Sequence, residues 1–346
     1  MFLTDNAWFP SFSPFKKHSK DLPNKFDLLS QSFDESLLRR IKALNPPSVT
    51  LSWLSQAVEF LCFAHAQADA LISSLKVSSY DESLSSYLDN CLKVLDVCNS
   101  VLVQIERLKQ RRLRVNFLLQ LLASDLAKAK DFLSRWEIYD SSSSFQVKKR
   151  GFQRDVHDLV RDLAISLDNP PREKKTTTDG RLVRRTIHAV GLVTVFVADA
   201  SISMLTGSTG LVEVVRAIPA EFAWADSFNE LSSTVSTQLK QRKDRDKIKG
   251  YFGEIDEVES RIIEVNDVID SDDKEKLSGT VKELEKVAGT FSEELERFSN
   301  GVNGMFNRIL SSRNGILDGM RLGQQKQKDE AKTIPKIFPV NANGKL

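Results

Sequence analysis

The sequence predicts an all-α protein, an elongated bundle of long antiparallel helices with coiled-coil-like seams. Three observations carry that expectation. Prolines stand at 10, 14 and 23, at 46 and 47, at 170 and 171, at 219, and at 335 and 339, which leaves two long proline-free intervals, Ser48 to Asn169 and Ala220 to Ile334. A proline inside a helix costs roughly 3 kcal/mol, so those intervals are where long helices can run. Within them apolar residues recur at alternating spacings of three and four, which marks one stripe of a helix. Hydrophobic residues make up 41% of the 346, enough to build a sizeable core.

The first stripe is Leu51, Leu54, Val58, Leu61, His65, Ala68, Ile72 and Leu75, with Thr50 placed as its N-cap. Leu84, Leu88, Cys91, Leu95, Cys98, Leu102 and Ile105 repeat the rule, and Val115, Leu118, Leu119 and Leu122 either continue that helix or begin another. A loop around Ser78 to Glu82 is expected to let these two helices pair antiparallel. A shorter helix follows from Ser124 to Tyr139, ending at the Ser141 to Ser144 run, and another from Phe152 to Leu167 before Asn169, Pro170 and Pro171 stop it.

Further on, an acidic helix carries Ile255, Val258, Ile262, Val265 and Ile269 on one face and ends in the Asp270 to Asp273 turn. Leu277, Val281, Leu284, Ala288, Phe291, Leu295, Phe298, Val302, Met305, Ile309 and Ile316 then keep the register for roughly five heptads, broken once by Ser312. The seams can close within one chain or between two. Gly301, Gly304, Gly315 and Gly319 weaken this helix, so a kink near Asn300 is admissible. The organisation expected is a flexible segment over 1–25, a helical domain over 26–322 with basic and Ser-rich loops near 141–150 and 170–185, and a loose polar tail over 323–346.

Thr186 to Leu205 admits two readings. It has the length of a membrane span and follows Arg181, Arg184 and Arg185, as the positive-inside pattern favours. Asp199 lies within it, beside His188 and several hydroxyl residues, and a central aspartate costs roughly 2.5 to 3.5 kcal/mol on insertion scales. A buried core helix is the stronger reading, and a membrane-embedded or membrane-touching segment is the alternative.

The residues do not assemble a catalytic centre. Cys62, His65 and Asp69 share a helix face, yet no further ligands of suitable spacing accompany them, and His65 falls on the apolar stripe, so it reads as a core histidine. Cys91 and Cys98 lie roughly 10.5 Å apart at 1.5 Å per residue, too far for a disulfide, and read as packing residues. Three cysteines without C-x-x-C spacing fit neither a disulfide framework nor a zinc finger. Gly207, Ser208, Thr209 and Gly210 form no phosphate-binding loop, and His157 beside Asp158 has no nucleophile motif near it. No catalytic, cofactor-binding or metal residues are therefore assigned, and no cofactor is implied.

Lysine and arginine number 49 against 47 acidic residues, a net charge of +2, so nothing global draws the chain to nucleic acid or an anionic membrane. Local basic clusters occur at Arg107 to Arg114, Lys148 to Arg150 and Lys240 to Lys249. Aromatic interleaving is nearly absent, which argues against base stacking and nucleic-acid binding. Solvated helix ends and loops account for these clusters best, with an anionic membrane surface next. Arg172 to Thr178 (REKKTTT) places threonines beside basic residues in an expected loop, a weak kinase-site pattern. Met1 to Lys25 lacks a continuous apolar run and carries Asp5 and Asp21 with no arginine, so a cytosolic location is the default, with plastid import not excluded.

Several segments carry a resemblance: TLSWLSQAVEFLC at Thr50 to Cys62, YLDNCLKVLDVCN at Tyr87 to Asn99, WADSF at Trp224 to Phe228, and the Val302 to Arg321 stretch containing ILSSRNGILDGMR. In that order they resemble the BYPASS family of plant proteins, known mainly by a domain of unknown function. The resemblance implies a regulator of plant development and signalling. Founding members restrain a root-derived mobile signal that arrests shoot growth, and another branch is associated with exocytosis partners. It brings no catalytic residues. The basic stretch Lys109 to Arg114 and the acidic helix around Glu254 to Asp270 depart from the family pattern.

The functional expectation is a non-enzymatic helical interaction protein in plant growth or stress signalling, meeting other proteins through its helical faces. A membrane-associated trafficking factor anchored through residues 186–205 is the alternative. A third class is an enzyme acting on a small apolar metabolite inside a bundle cavity.

Overall fold

A computed structural model describes residues 25–45, 48–75, 82–136, 156–168, 177–206, 218, 221–245, 253–271 and 273–333. Among the described residues there are nine helices and no strand: α1 (Lys25–Ala43), α2 (Leu51–Ser74), α3 (Glu82–Ser124), α4 (Leu126–Ser134), α5 (Val156–Asp168), α6 (Thr178–Thr206), α7 (Ala225–Arg245), α8 (Gly253–Val268) and α9 (Lys274–Thr333). The all-α class is as expected. The segments 1–24, the Ser141 to Ser144 run, Lys148 to Arg150 and Gly207 to Gly210 lie outside the described residues.

Local chemistry sets the helix starts. Thr50 accepts from the Trp53 backbone N–H at 3.1 Å, which confirms it as the N-cap of α2. Glu254 reaches the same helix start from α8, accepting from Leu51 N at 3.1 Å and Ser52 N at 3.4 Å, so a carboxylate sits at the positive end of the α2 dipole. Asp125 caps α4 through Lys128 N at 3.1 Å, Thr177 caps α6 through Gly180 N at 3.1 Å, and Asp273 caps α9 through Lys276 N at 2.9 Å. Val115 to Leu122 continue α3 without a break, and α9 runs unbroken past Asn300. The tail boundary expected at Gly323 falls inside α9, because Gln324 to Lys332 are mostly good helix formers that carry the helix to Thr333.

Four helices form the centre. α9 packs on α2 and α3, and α6 packs on the same two, so α2, α9, α3 and α6 stand as the corners of a square with α2 and α3 on one diagonal. This corrects the expected α2–α3 hairpin: the two helices are not face-to-face neighbours, since α6 and α9 occupy the space beside each. The direction of α9 differs as well. Gly301 faces Val58, Cys62 meets Met305 and Asp69 meets Ser312, a constant offset of 243 residues, so α2 and α9 run parallel. Against α3 the same helix is antiparallel, as the Tyr87 to Ser312 and Arg112 to Glu296 pairs show.

The expected stripe of α9 is buried within this chain: Leu284, Ala288, Phe291, Leu295, Phe298, Val302, Met305 and Ile309 are all below 5% exposed. α6 is long and apolar enough to cross a membrane by length and composition, and 83% of its most apolar window is buried against the rest of the chain. The Arg185 side chain that the positive-inside pattern drew on turns inward to α1. It pairs with Asp34 Oδ2 at 2.6 Å, donates to the Glu221 carbonyl at 3.1 Å and lies 4.2 Å over the Phe222 ring.

Candidate functional site

At the centre of the square one polar chain crosses the apolar core, with a contribution from each of the four helices. His65 of α2 meets Thr194 of α6 through Nε2 at 3.1 Å and Tyr87 of α3 through Nδ1 at 3.4 Å. Tyr87 Oη lies 3.4 Å from Ser312 Oγ of α9, and Ser312 Oγ donates to Asp69 Oδ1 at 2.5 Å. His65 and Tyr87 are 3% and 5% exposed, whereas Asp69 is half-buried. The chain therefore runs from the deep core toward the surface.

Proton positions follow from the donors. The Thr194 hydroxyl donates to the Val190 carbonyl at 2.7 Å, so its oxygen accepts from His65 Nε2–H and leaves Nδ1 an acceptor. The Ser312 hydrogen is directed to Asp69. Tyr87 has one hydrogen for two neighbours, Nδ1 and the Ser312 oxygen. With Asp69 ionised, one link in the chain has no proton; a proton on Asp69 reverses Ser312 and fills every link. Burial raises the Asp69 carboxyl above its ordinary value, with the Ser312 hydrogen bond and Arg308 opposing. Burial also holds His65 neutral, its pKa lowered to about 3, with Arg308 adding to the effect, and raises the Tyr87 phenol.

Two cavities flank this chain. One, of about 40 Å³, lies between α2, α3, α6 and α9 and is walled by Val58, Leu61, Val97, Val101, Val197 and Met305 among others. The second, of about 30 Å³, has a polar end of His65, Tyr87, Asn90 and Thr194. Val94, Leu163 and Thr194 line both. Leu163 and Leu167 bring α5 over the second cavity, and Leu167 packs against the backbone at Gly191, where an added Cβ would lie 2.4 Å from Leu167 Cδ2.

The residues singled out in the sequence fall as follows. Cys62, His65 and Asp69 share a face but are engaged separately, by Met305 Sδ at 3.6 Å, by Thr194 and Tyr87, and by Ser312. Among the described residues no group of three metal-ligating side chains gathers. Cys91 and Cys98 are buried thiols, both pushed up to about 12 by burial. Asp158 beside His157 is paired with Arg161 at 2.9 Å. Tyr87, Thr194 and Ser312 were not singled out for chemistry. For Ser312 the signal was its position as the one break in the α9 register, since a polar residue on a buried stripe must face a partner.

Two other arrangements explain motifs by anchoring. Trp224 and Phe228 of WADSF are fully buried; Trp224 Nε1 donates to Asp34 Oδ1 at 3.3 Å, and Phe228 packs edge-on to Phe196 at 5.0 Å, tying α7 to α1 and α6. The basic stretch of α3 and the acidic α8 meet each other: Arg111, 6% exposed, forms an ion pair with Glu259, and Lys130 of α4 pairs with Asp270 just beyond α8. Arg111 is thus an internal partner and not part of a solvated face.

Comparison with protein families adds what geometry alone does not. The family model described as Protein ROH1-like matches residues 138–320, which takes in α5 to α8 and most of α9. The chain belongs to the ROH1-like family. Across 98% of its length this ROH1-like chain is 26% identical to "Protein BPS1, chloroplastic" of Arabidopsis thaliana, covering 96% of that protein, which bears out the BYPASS resemblance. It is 27% identical to "UPF0496 protein 4" of Oryza sativa subsp. japonica over 68% of the chain, a match that spans about half of the rice protein (54%). Identity to "Protein ROH1D" of Arabidopsis thaliana is 20%, covering 83% of this chain and 87% of that one. No solved structure matches.

Proposed function

We propose that the chain is a non-enzymatic helical interaction protein in plant growth or stress signalling, and that it presents the outer face of α3 to other proteins. The observation that supports this reading is a second stripe on α3, pointing away from the bundle. Leu92, Asp96, Asn99, Val103, Glu106, Gln110, Leu113, Phe117 and Gln120 keep the four-three spacing and are all exposed. Among them Leu92, Val103 and Leu113 are 45%, 50% and 62% exposed, and Phe117, 49% exposed, closes the stripe where its ring packs edge-on to Phe132 of α4 at 5.3 Å. Large apolar side chains aligned on one face are what a partner helix docks against. The growth and signalling role rests on the family resemblance. Co-purification from plant tissue with wild type and with a Val103→Glu/Leu113→Glu variant tests the reading. A reproducible partner that the folded variant loses supports it; no reproducible partner, or one the variant retains, overturns it.

A membrane-associated trafficking factor anchored through residues 186–205 is the second reading, favoured by the length and composition of α6. Its burial opposes this, because anchoring requires α6 to leave the bundle and uncover the apolar faces of α2 and α3. Carbonate extraction separates the two: recovery in the membrane pellet supports the anchor, and recovery in the soluble fraction supports the bundle. Fractionation of intact chloroplasts distinguishes a cytosolic from a plastid location.

A further inference from the structure

The outward stripe of α3 and its two borders carry charges of opposite sign. One border is formed by Lys93, Ser100 and Arg107, and the other by Leu102, Lys109 and Asn116. None of these is a carboxylate. Arg107 is exposed, Lys93 and Lys109 are partly exposed, and none of the three cations forms an ion pair with a described residue. Arg107 gives one hydrogen bond to the neutral Gln104 amide at 2.9 Å and keeps its charge. Arg114, seven residues further on, is engaged within the chain and adds nothing to this border. Within the stripe the charges are acidic: Asp96 and Glu106 stand between Leu92, Val103 and Leu113, ten residues and so roughly 15 Å apart. Where two helices pack, seam residues meet the partner's seam and bordering charges meet the partner's borders. A second copy of α3 cannot answer this pattern, since its borders hold no carboxylate to meet Lys93, Arg107 or Lys109 and its seam no cation to face Asp96 or Glu106. A lipid surface does not answer it either, because both carboxylates would be pressed into the bilayer beside the apolar side chains.

We propose that the partner of this face is an amphipathic helix with acidic borders and an apolar seam that holds two cations about ten residues apart. The inference rests on the reading that α3 presents its outer face to other proteins, and it names the chemistry of what docks there. Leu92, Val103 and Leu113 are the apolar anchors. Partner carboxylates face Lys93, Arg107 and Lys109, and partner lysines or arginines face Asp96 and Glu106. Exposed charge pairs each add little strength, but together they choose among helices of equal hydrophobicity.

Two labelled synthetic helices of about 28 residues, with the same leucine seam and the same two seam lysines, test the proposal by fluorescence anisotropy against the full chain. One carries glutamate at every border position and its twin carries lysine. The glutamate-bordered helix is expected to bind saturably and roughly tenfold tighter than its twin, a difference that shrinks in about 0.5 M salt. Lys93→Glu/Arg107→Glu/Lys109→Glu is expected to reverse the preference, and Val103→Glu/Leu113→Glu to lose both helices. Circular dichroism checks that each variant is folded. No saturable binding, equal affinity for the twins, a preference indifferent to salt, or one that the folded charge-reversed chain retains overturns the acidic helix. Self-association that Val103→Glu/Leu113→Glu abolishes assigns the face to a second copy, flotation with phosphatidylserine vesicles that it abolishes assigns the face to lipid, and either result also overturns the proposal. A tissue partner lost by Val103→Glu/Leu113→Glu but kept by the charge-reversed chain removes this inference and leaves the α3 reading standing.

Discussion

Ser312 and Asp69 are joined by a 2.5 Å hydrogen bond in which the serine donates, and that direction leaves the chain from Ser312 through Tyr87 to His65 one proton short. Replacing Asp69 by Asn supplies an N–H to the Ser312 oxygen and lets Ser312 turn to Tyr87. Asp69→Asn is therefore expected to raise stability at pH 7 by about 0.5–1 kcal/mol. Ser312→Ala, which cuts the chain, should lower it by about 1 kcal/mol. Urea denaturation of both variants measures the contrast, and a loss of stability in Asp69→Asn would refute the proton assignment.

The contact between α5 and α6 leaves no room at Gly191. An alanine there sets its Cβ against Leu167 Cδ2; the overfilling cost of about 1–3 kcal/mol is offset by the roughly 1 kcal/mol that alanine gains over glycine inside a helix, for a net loss of about 0–2 kcal/mol. Because the obstructing atom is the end of a side chain, Leu167→Ala in the same chain should recover part of the loss. Thermal unfolding of the single and double variants gives the coupling; additive losses would place the strain elsewhere.

Asp199 gives stability a pH dependence of known sign. It is 5% exposed, with Ser203 Oγ donating at 3.3 Å, and burial raises its pKa from 3.8 to about 7 against the smaller effect of that bond. Between pH 3.8 and about 7 the folded state holds a proton that the unfolded state releases, so stability falls as pH rises through that window and levels off above it. Asp199→Asn imitates the protonated form. It should be close to neutral at pH 4 and stabilising at pH 8, as chemical denaturation at the two pH values would show.

At the other end of α6, Asp34 serves both the Arg185 guanidinium and the Trp224 indole. Asp34→Ala leaves the Trp224 indole without its acceptor and Arg185 without its carboxylate, while the guanidinium keeps the Ser30 hydroxyl and the Glu221 carbonyl, and is expected to cost about 2–3 kcal/mol. Asp34→Asn keeps an acceptor for Trp224 and should recover about half of that. Tryptophan fluorescence during urea unfolding follows both, and equal losses would remove the indole bond from the account.

How far the sequence could be read depended on the range of the interaction. Helix positions were legible because proline and the three-four apolar spacing act within a turn or two: α2 begins at the Thr50 cap, and α9 keeps its register from Leu284 to Ile309. His65 was correctly a core residue for the same local reason. Its partner Thr194 lies 129 residues away, and no local pattern encodes that distance. The parallel pairing of α2 with α9 was likewise hidden, since an apolar stripe states that a face is covered without stating by what. Arg111 and Glu259 were both visible as departures from the family pattern, but only the ion pair that the fold forms between α3 and α8 shows that one departure answers the other.

The 243-residue offset between α2 and α9 has a consequence for synthesis. Val58, Cys62 and Asp69 wait for neighbours that the ribosome makes 243 residues later. Until Ser312 emerges, nascent α2 and α3 stand with one wall of their enclosure missing, and a product cut short before Leu295 exposes the flanks that Phe298, Val302 and Met305 would have covered. Such fragments should be captured by chaperones and cleaved readily by protease, while emergence of α9 through Ser312 brings resistance in a single step.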